Sequence, residues 1–186
     1  MNPKREQIIQ STCQLIEIQG YHATGIKQIL AESEAPKGSL YYYFPDGKDE
    51  LVEEAIDYTS KIIARRLQEG MDAHENATGA IPAFLRQLSH YVHESGYQAG
   101  GPITAVAMEA ASTNERLNTA CQRAYQQWQT IIEKKLLADG FPVTRSRQLA
   151  SVTIALIEGA IILSRTERTV TPLLNAAAEL EMLLQA

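Results

Sequence analysis

The chain has 186 residues, 45% of them hydrophobic and 21% charged, which places it among ordinary globular proteins and outside the disordered class. A net charge of -5 excludes a global electrostatic attraction to nucleic acid, so any DNA contact has to come from a local surface. Cys13 and Cys121 stand far apart with no CxxC partner or adjacent histidine pair, which argues against a zinc site and against a disulfide framework.

The N-terminus opens polar, from Met1 to Glu6, and apolar residues at Ile8, Ile9, Thr12, Leu15 and Ile16 recur at helical spacing. They predict a helix over 3–19 that ends at Gly20, where a chain reversal favours a residue free to take positive φ. Thr24 is the expected N-cap of a short second helix with Ile26, Ile29 and Leu30 facing inward. A three-residue connection, Ser33 to Ala35, leads to Pro36, a residue preferred at the first position of a helix, and predicts a third short helix over 36–43. Pro45, Asp46 and Gly47 form a turn, after which Asp49 is the expected cap of a long amphipathic helix carrying Leu51, Val52, Ala55, Ile56, Ile62, Ile63 and Leu67.

A polar, small-residue loop is expected over 70–79, followed by helices over 82–94, 103–111, 114–138, 144–165 and 171–184, separated by segments rich in glycine and proline. No run shows the alternation of a strand. The fold class is therefore all-α with about nine helices: an N-terminal three-helix domain over 1–48 and a C-terminal helical bundle over 49–186. The apolar stretch from Ala150 to Leu163 is interrupted by Glu158 and falls short of the roughly 20 residues of a membrane span. A soluble, cytoplasmic protein with no membrane partner is expected.

Two short helices joined by a tight turn, with one helix before and a long one after, fit a helix-turn-helix whose second short helix enters the major groove. Lys37, Gly38, Ser39 and Tyr42 put a cation, a bare backbone, a hydroxyl and a phenol at its exposed start, while Leu40, Tyr41 and Phe44 are expected to turn inward. The composition speaks the other way: within residues 1–50, five cations (Lys4, Arg5, Lys27, Lys37, Lys48) face seven acids (Glu6, Glu17, Glu32, Glu34, Asp46, Asp49, Glu50).

Gly20, Tyr21, Ala23, Thr24, Ile26 and Ile29, then Lys37-Gly38-Ser39-Leu40-Tyr41, Tyr43-Phe44, Lys48 and Leu51 resemble the N-terminal signature of the TetR family of transcriptional regulators. The segment Tyr43-Phe44-Pro45-Asp46-Gly47-Lys48, one residue longer than the usual turn, is similar to a subgroup that includes regulators of multidrug export and flavonoid-responsive genes. Gly100-Gly101-Pro102-Ile103 through Glu109 is similar to a further segment of that subgroup, without the cysteine that often precedes its proline. The resemblance implies a double-stranded DNA operator as partner, read by Thr24, Lys27, Lys37, Gly38, Ser39, Tyr41, Tyr42 and Lys48. On spacing alone a solvated surface lysine is the favoured reading of Lys37, and its place in the motif is what favours a phosphate or base contact. One departure is physical: the turn between the short helices usually holds glycine where this chain has Glu34, and a non-glycine residue there costs on the order of 1 kcal/mol.

The last two long helices leave hardly any polar face, and helices apolar all round must be covered on two sides. Ile154, Ile157, Ile161, Leu173 and Leu180 are the expected interface of a homodimer, whose two-fold axis would set two recognition helices roughly 34–36 Å apart on a near-palindromic operator. Tyr91, Tyr97, Met108, Glu109, Tyr125 and Trp128 fall in helices that line the inducer pocket of similar proteins, and suit a flat apolar or aromatic small molecule. The same residue types equally suit the core of a helical bundle. His90 and His93 lack a third ligand, so no metal and no cofactor are expected. No nucleophile elbow, phosphate loop or HExxH motif occurs, and the chain reads as a repressor rather than an enzyme. The competing reading is a helical ligand-binding protein without selective DNA binding.

Overall fold

The computed structural model describes residues 2–185, and among these the chain forms nine α-helices and no strand. By contact it divides into two compact units, one made of residues up to 61 together with 101–124, the other of residues 62–100 together with those from 125 onward.

In the first unit, α1 (Pro3–Gln19) starts where the Asn2 side chain accepts the Lys4 N–H at 3.0 Å, with Pro3 in the first turn. It stops at Gly20, whose φ of 84° turns the chain while its N–H still bonds the Ile16 carbonyl at 2.9 Å. Helix α2 (Ile26–Glu32) follows, and then α3 (Ser39–Tyr43), which is shorter than expected. Pro36 does not open it, because the Ser39 N–H first closes a turn onto the Pro36 carbonyl at 2.9 Å.

Helix α4 (Lys48–Asp72) begins one residue before Asp49, its expected cap, and its first residues, 48–61, belong to this unit with α6 (Pro102–Glu109) and the start of α7 (Glu115–Ala138). Asp49 does not serve as the cap of α4: its carboxylate accepts the Tyr21 hydroxyl and the Asn114 amide, each at 2.7 Å. The core is built from Ile8, Ile9, Leu15, Ile29, Leu30, Leu40, Phe44, Leu51 and Ala55. Each large side chain among them contributes about 1.5–3 kcal/mol by leaving water.

Two arginines seven residues apart on α7 face the start of α4. Arg116 reaches Asp46 at 2.8 Å and Glu53 at 3.0 Å, and Arg123 reaches Glu53 at 3.0 Å and Asp57 at 3.2 Å.

In the second unit, α5 (Ala77–Glu94) packs on α8 (Val143–Glu167) and α9 (Thr171–Gln185), which also pack on each other. The start of α5 lies a turn earlier than expected. Asn76 caps it by accepting the Gly79 N–H at 2.9 Å, and the buried Pro82 sits inside the helix, where its missing N–H cannot bond the Thr78 carbonyl. Helix α8, at 25 residues, is long and apolar enough to cross a membrane by length and composition, longer than the apolar run alone suggested. One face of it is buried against its neighbours.

Candidate nucleic-acid interface

The turn between α2 and α3 closes with two backbone bonds, from the Glu34 N–H to the Ala31 carbonyl at 3.2 Å and from the Ala35 N–H to the Leu30 carbonyl at 2.9 Å. This pair is the Schellman closure of a helix end, and it requires the residue after the cap to be left-handed. Glu34 occupies that place with φ of 48°, so the turn keeps its shape without glycine and carries the strain. Lys4 braces it by donating to the Glu34 carbonyl at 3.3 Å and to Gln7 at 3.0 Å.

Beyond the turn, Lys37 and Gly38 are exposed and Ser39 is half-buried. Tyr42 is 78% exposed. Tyr41, expected to turn inward, is 61% exposed, while Tyr43 packs against the core and donates its hydroxyl to Asn2 at 3.3 Å. The reason is helical geometry: with Leu40 fully buried, the residues on its face are those three and four positions on, Tyr43 and Phe44, and Tyr41 points about 100° away. Lys27 is exposed on α2. Lys27, Lys37, Gly38, Tyr41 and Tyr42 are thus all open to solvent in one unit.

Two expected contacts are occupied internally. Thr24 is fully buried, and its hydroxyl donates to the Gly20 carbonyl at 2.6 Å rather than facing outward; Gly25 is the N-cap of α2, without a side-chain bond. Lys48 donates to the Tyr21 carbonyl at 2.7 Å, with its nitrogen 3.9 Å from the centre of the Tyr21 ring. Burial lowers the Lys48 pKa, and burial together with the bond to Asp49 pushes the Tyr21 phenol up to about 12.

The acid count of residues 1–50 also acquires a location. Asp46 is paired with Arg116, Asp49 holds Tyr21 and Asn114, and Glu50 accepts the Asp46 N–H at 2.8 Å, so three of the seven acids are engaged at the start of α4 and not on α3.

The residues expected to bind an inducer are divided between the two units. Met108, 72% exposed, and Glu109 belong to the first unit, whereas Tyr91, Tyr97, Tyr125 and Trp128 belong to the second. Tyr125 and Trp128 meet edge to face with centroids 5.4 Å apart. Tyr91 lies at the surface under the Arg66 guanidinium, and Tyr97 meets His93 edge-on at 5.8 Å. Glu109 accepts the His22 backbone N–H at 2.8 Å, a contact between residues 87 positions apart that no spacing rule reveals. An apolar cavity in the first unit is lined by Cys13, Ile16, Ala55, Ile56, Thr59, Pro102, Ile103 and Val106. Burial pushes the Cys13 and Cys121 thiols up to about 11.

The expected interface residues lie on the inward faces of their helices. Ile154, Ile157, Ile161, Leu173 and Leu180 are all buried inside the single chain. An all-apolar helix tells a reader that two faces are covered, but not which residues face which cover. The faces left open are Val152, Ala155, Gly159, Ile162 and Leu163 on α8, and Leu174, Ala178 and Met182 on α9. On α9 these recur every four residues, and on α8 every three or four, so each makes one stripe.

Residues 8–55 match the family described as bacterial regulatory proteins, tetR family, and residues 77–179 match the C-terminal domain described as LmrA/YxaF-like transcriptional regulator. The chain is 38% identical over 181 residues to the uncharacterized HTH-type transcriptional regulator YxaF of Bacillus subtilis (strain 168), covering 97% of this chain and 95% of that one. It is also 38% identical over 181 residues to the HTH-type transcriptional regulator LmrA of the same organism, covering 97% and 96%. Among solved structures, a TetR transcriptional regulator from Chloroflexus aurantiacus J-10-FL matches with a TM-score of 0.80 at 29% identity, over 98% of this chain and 94% of that one.

Proposed function

Because the chain belongs to the TetR family of transcriptional regulators, we propose that it is a repressor: a homodimer that holds a near-palindromic operator and lets go when a small apolar or aromatic molecule binds. The observation that carries the reading is α3. Leu40 and Phe44 seat it in the core with no exposed surface of their own, while Lys37, Gly38, Tyr41 and Tyr42 are left to solvent. A cation, a bare backbone and two phenols at the start of a short helix are groups that meet phosphate and base edges in a major groove. Thr24 and Lys48 have no part in this set, since both are bonded within the head.

Dimerisation rests on the open stripes of α8 and α9. Large apolar side chains aligned along two neighbouring helices are what a subunit interface presents before it is covered. Release by an inducer requires that molecule to bind the two states with different affinity.

The test is selection of duplexes from a random-sequence pool by the wild-type chain, followed by binding at several salt concentrations beside Lys37→Ala and Tyr42→Ala. Enrichment of a two-fold symmetric sequence, bound less tightly as salt rises and lost in both variants, is the expected result. A pool that shows no enrichment at low salt sinks the repressor reading and leaves a helical ligand-binding protein.

A further inference from the structure

Residues 20–25 connect α1 to α2, and side chains from two other helices hold the first three of them. The Glu109 carboxylate, at the last residue of α6, accepts the His22 N–H at 2.8 Å, and the Glu109 carbonyl oxygen lies 3.1 Å from His22 Nε2. Its other oxygen rests directly on Gly20, so that a Cβ at position 20 would overlap Glu109 Oε1. From α4, Lys48 takes the Tyr21 carbonyl and Asp49 the Tyr21 hydroxyl, and Asp49 is itself held by Asn114.

A carboxylate at the C-terminal end of a helix faces the negative end of that helix's dipole, an unfavourable place for an acid. Glu109 is held there by the His22 N–H and by attraction to Lys48. An acid kept on the wrong end of its own helix, with both of its polar ends on one turn, has a task at that turn.

We propose that Glu109 is a positioning residue for operator binding: its carboxylate seats the turn 20–22 and thereby sets the angle at which α2 and α3 are presented, instead of anchoring an inducer. The proposal rests on the repressor reading and adds to it the residue through which α6 holds the reading head. Gly20 is part of the device twice over, since its φ of 84° and the close approach of Glu109 both exclude a side chain.

The experiment uses the full chain and the duplex that the wild type enriches. Glu109→Ala is expected to keep its helical content and oligomeric state, to exchange the His22 amide hydrogen at least about tenfold faster, and to bind the enriched duplex at least about tenfold more weakly. Binding to a random duplex should change by less than about twofold, because non-selective binding needs charge and not a fixed angle. Glu109→Gln, whose amide oxygen still accepts from His22, should recover most of the selective affinity. Gly20→Ala should resemble Glu109→Ala, and should do less further harm in the Glu109→Ala background, where the overlap is gone.

Wild-type affinity in Glu109→Ala, or an unchanged His22 amide, overturns the proposal. So does an equal loss on both duplexes that Glu109→Gln does not restore, since that is the mark of general destabilisation. If the wild type enriches no duplex, the repressor reading has failed and this one falls with it; enrichment with an unaffected Glu109→Ala removes this one alone.

Discussion

A left-handed glutamate braced by a lysine is where single residues bear on function most directly. At φ 48°, Glu34 carries a strain of about 1 kcal/mol that glycine would relieve, but glycine loses about 0.5–1 kcal/mol of chain entropy on folding. Glu34→Gly is therefore expected to shift the urea unfolding midpoint little. Glu34→Gln removes the charge and keeps the strain. It should bind the enriched duplex several-fold more tightly at low salt, with the gap closing as salt rises; an unchanged affinity would place Glu34 away from the DNA. Tyr21 makes a second prediction, on pH. Its phenol is raised to about 12 in the fold by burial and by its bond to Asp49, so the folded state keeps the proton that the unfolded chain gives up near 10. That contribution is whole below about pH 10 and is lost as pH rises toward 12. Lys48, lowered by burial, acts in the opposite sense and at lower pH, below its ordinary value. The difference between wild type and Tyr21→Phe in urea unfolding across pH 8–12 isolates the phenol: the wild type should lose stability more steeply.

At the scale of helices, the stops were readable because they are local chemistry. Gly20 after α1 and Pro102 at the start of α6 act through their own backbone, whatever the rest of the chain does. The Asn76 cap is less legible, because a capping side chain three residues from a glycine and six from a proline reads as loop. The facing of α3 follows by counting from the buried Leu40, which puts Tyr43 and Phe44 on its face and turns Tyr41 about 100° away. The bonds of Arg116 and Arg123 to α4, like that of Glu109 to His22, join residues 66 to 87 positions apart, and no pattern within one helix announces them. A prediction belongs here too. Phe44→Ala should cost about 3–5 kcal/mol in urea unfolding, since the ring is fully buried in the core under α3. Tyr42→Ala, from the same helix but out in solvent, should leave the midpoint where it is and weaken only DNA binding.

For the molecule as a whole, the division of α8 and α9 into an inward and an outward stripe separates two properties that the sequence alone merged. Ile157→Ala opens a cavity inside the chain and is expected to cost about 2–5 kcal/mol of stability. Leu163→Glu sits on the open stripe, so it should leave the single chain folded and turn a dimer into a monomer in sedimentation velocity. The monomer should keep non-selective DNA binding and lose the preference for a two-fold symmetric sequence. If Leu163→Glu remains dimeric, the stripes are covered by something other than a second copy.

The shielded thiols have a practical use in spectroscopy. With both held near pKa 11 instead of 9, Cys13 and Cys121 expose roughly a hundredth of the usual thiolate near neutral pH. A Tyr42→Cys chain would then take a maleimide spin label at the tip of α3 against a quiet background, with neither native cysteine removed. In the proposed dimer the two labels become a ruler laid across the operator, reading near one DNA turn, about 34–36 Å, when the heads are in register and a different length when the inducer has moved them.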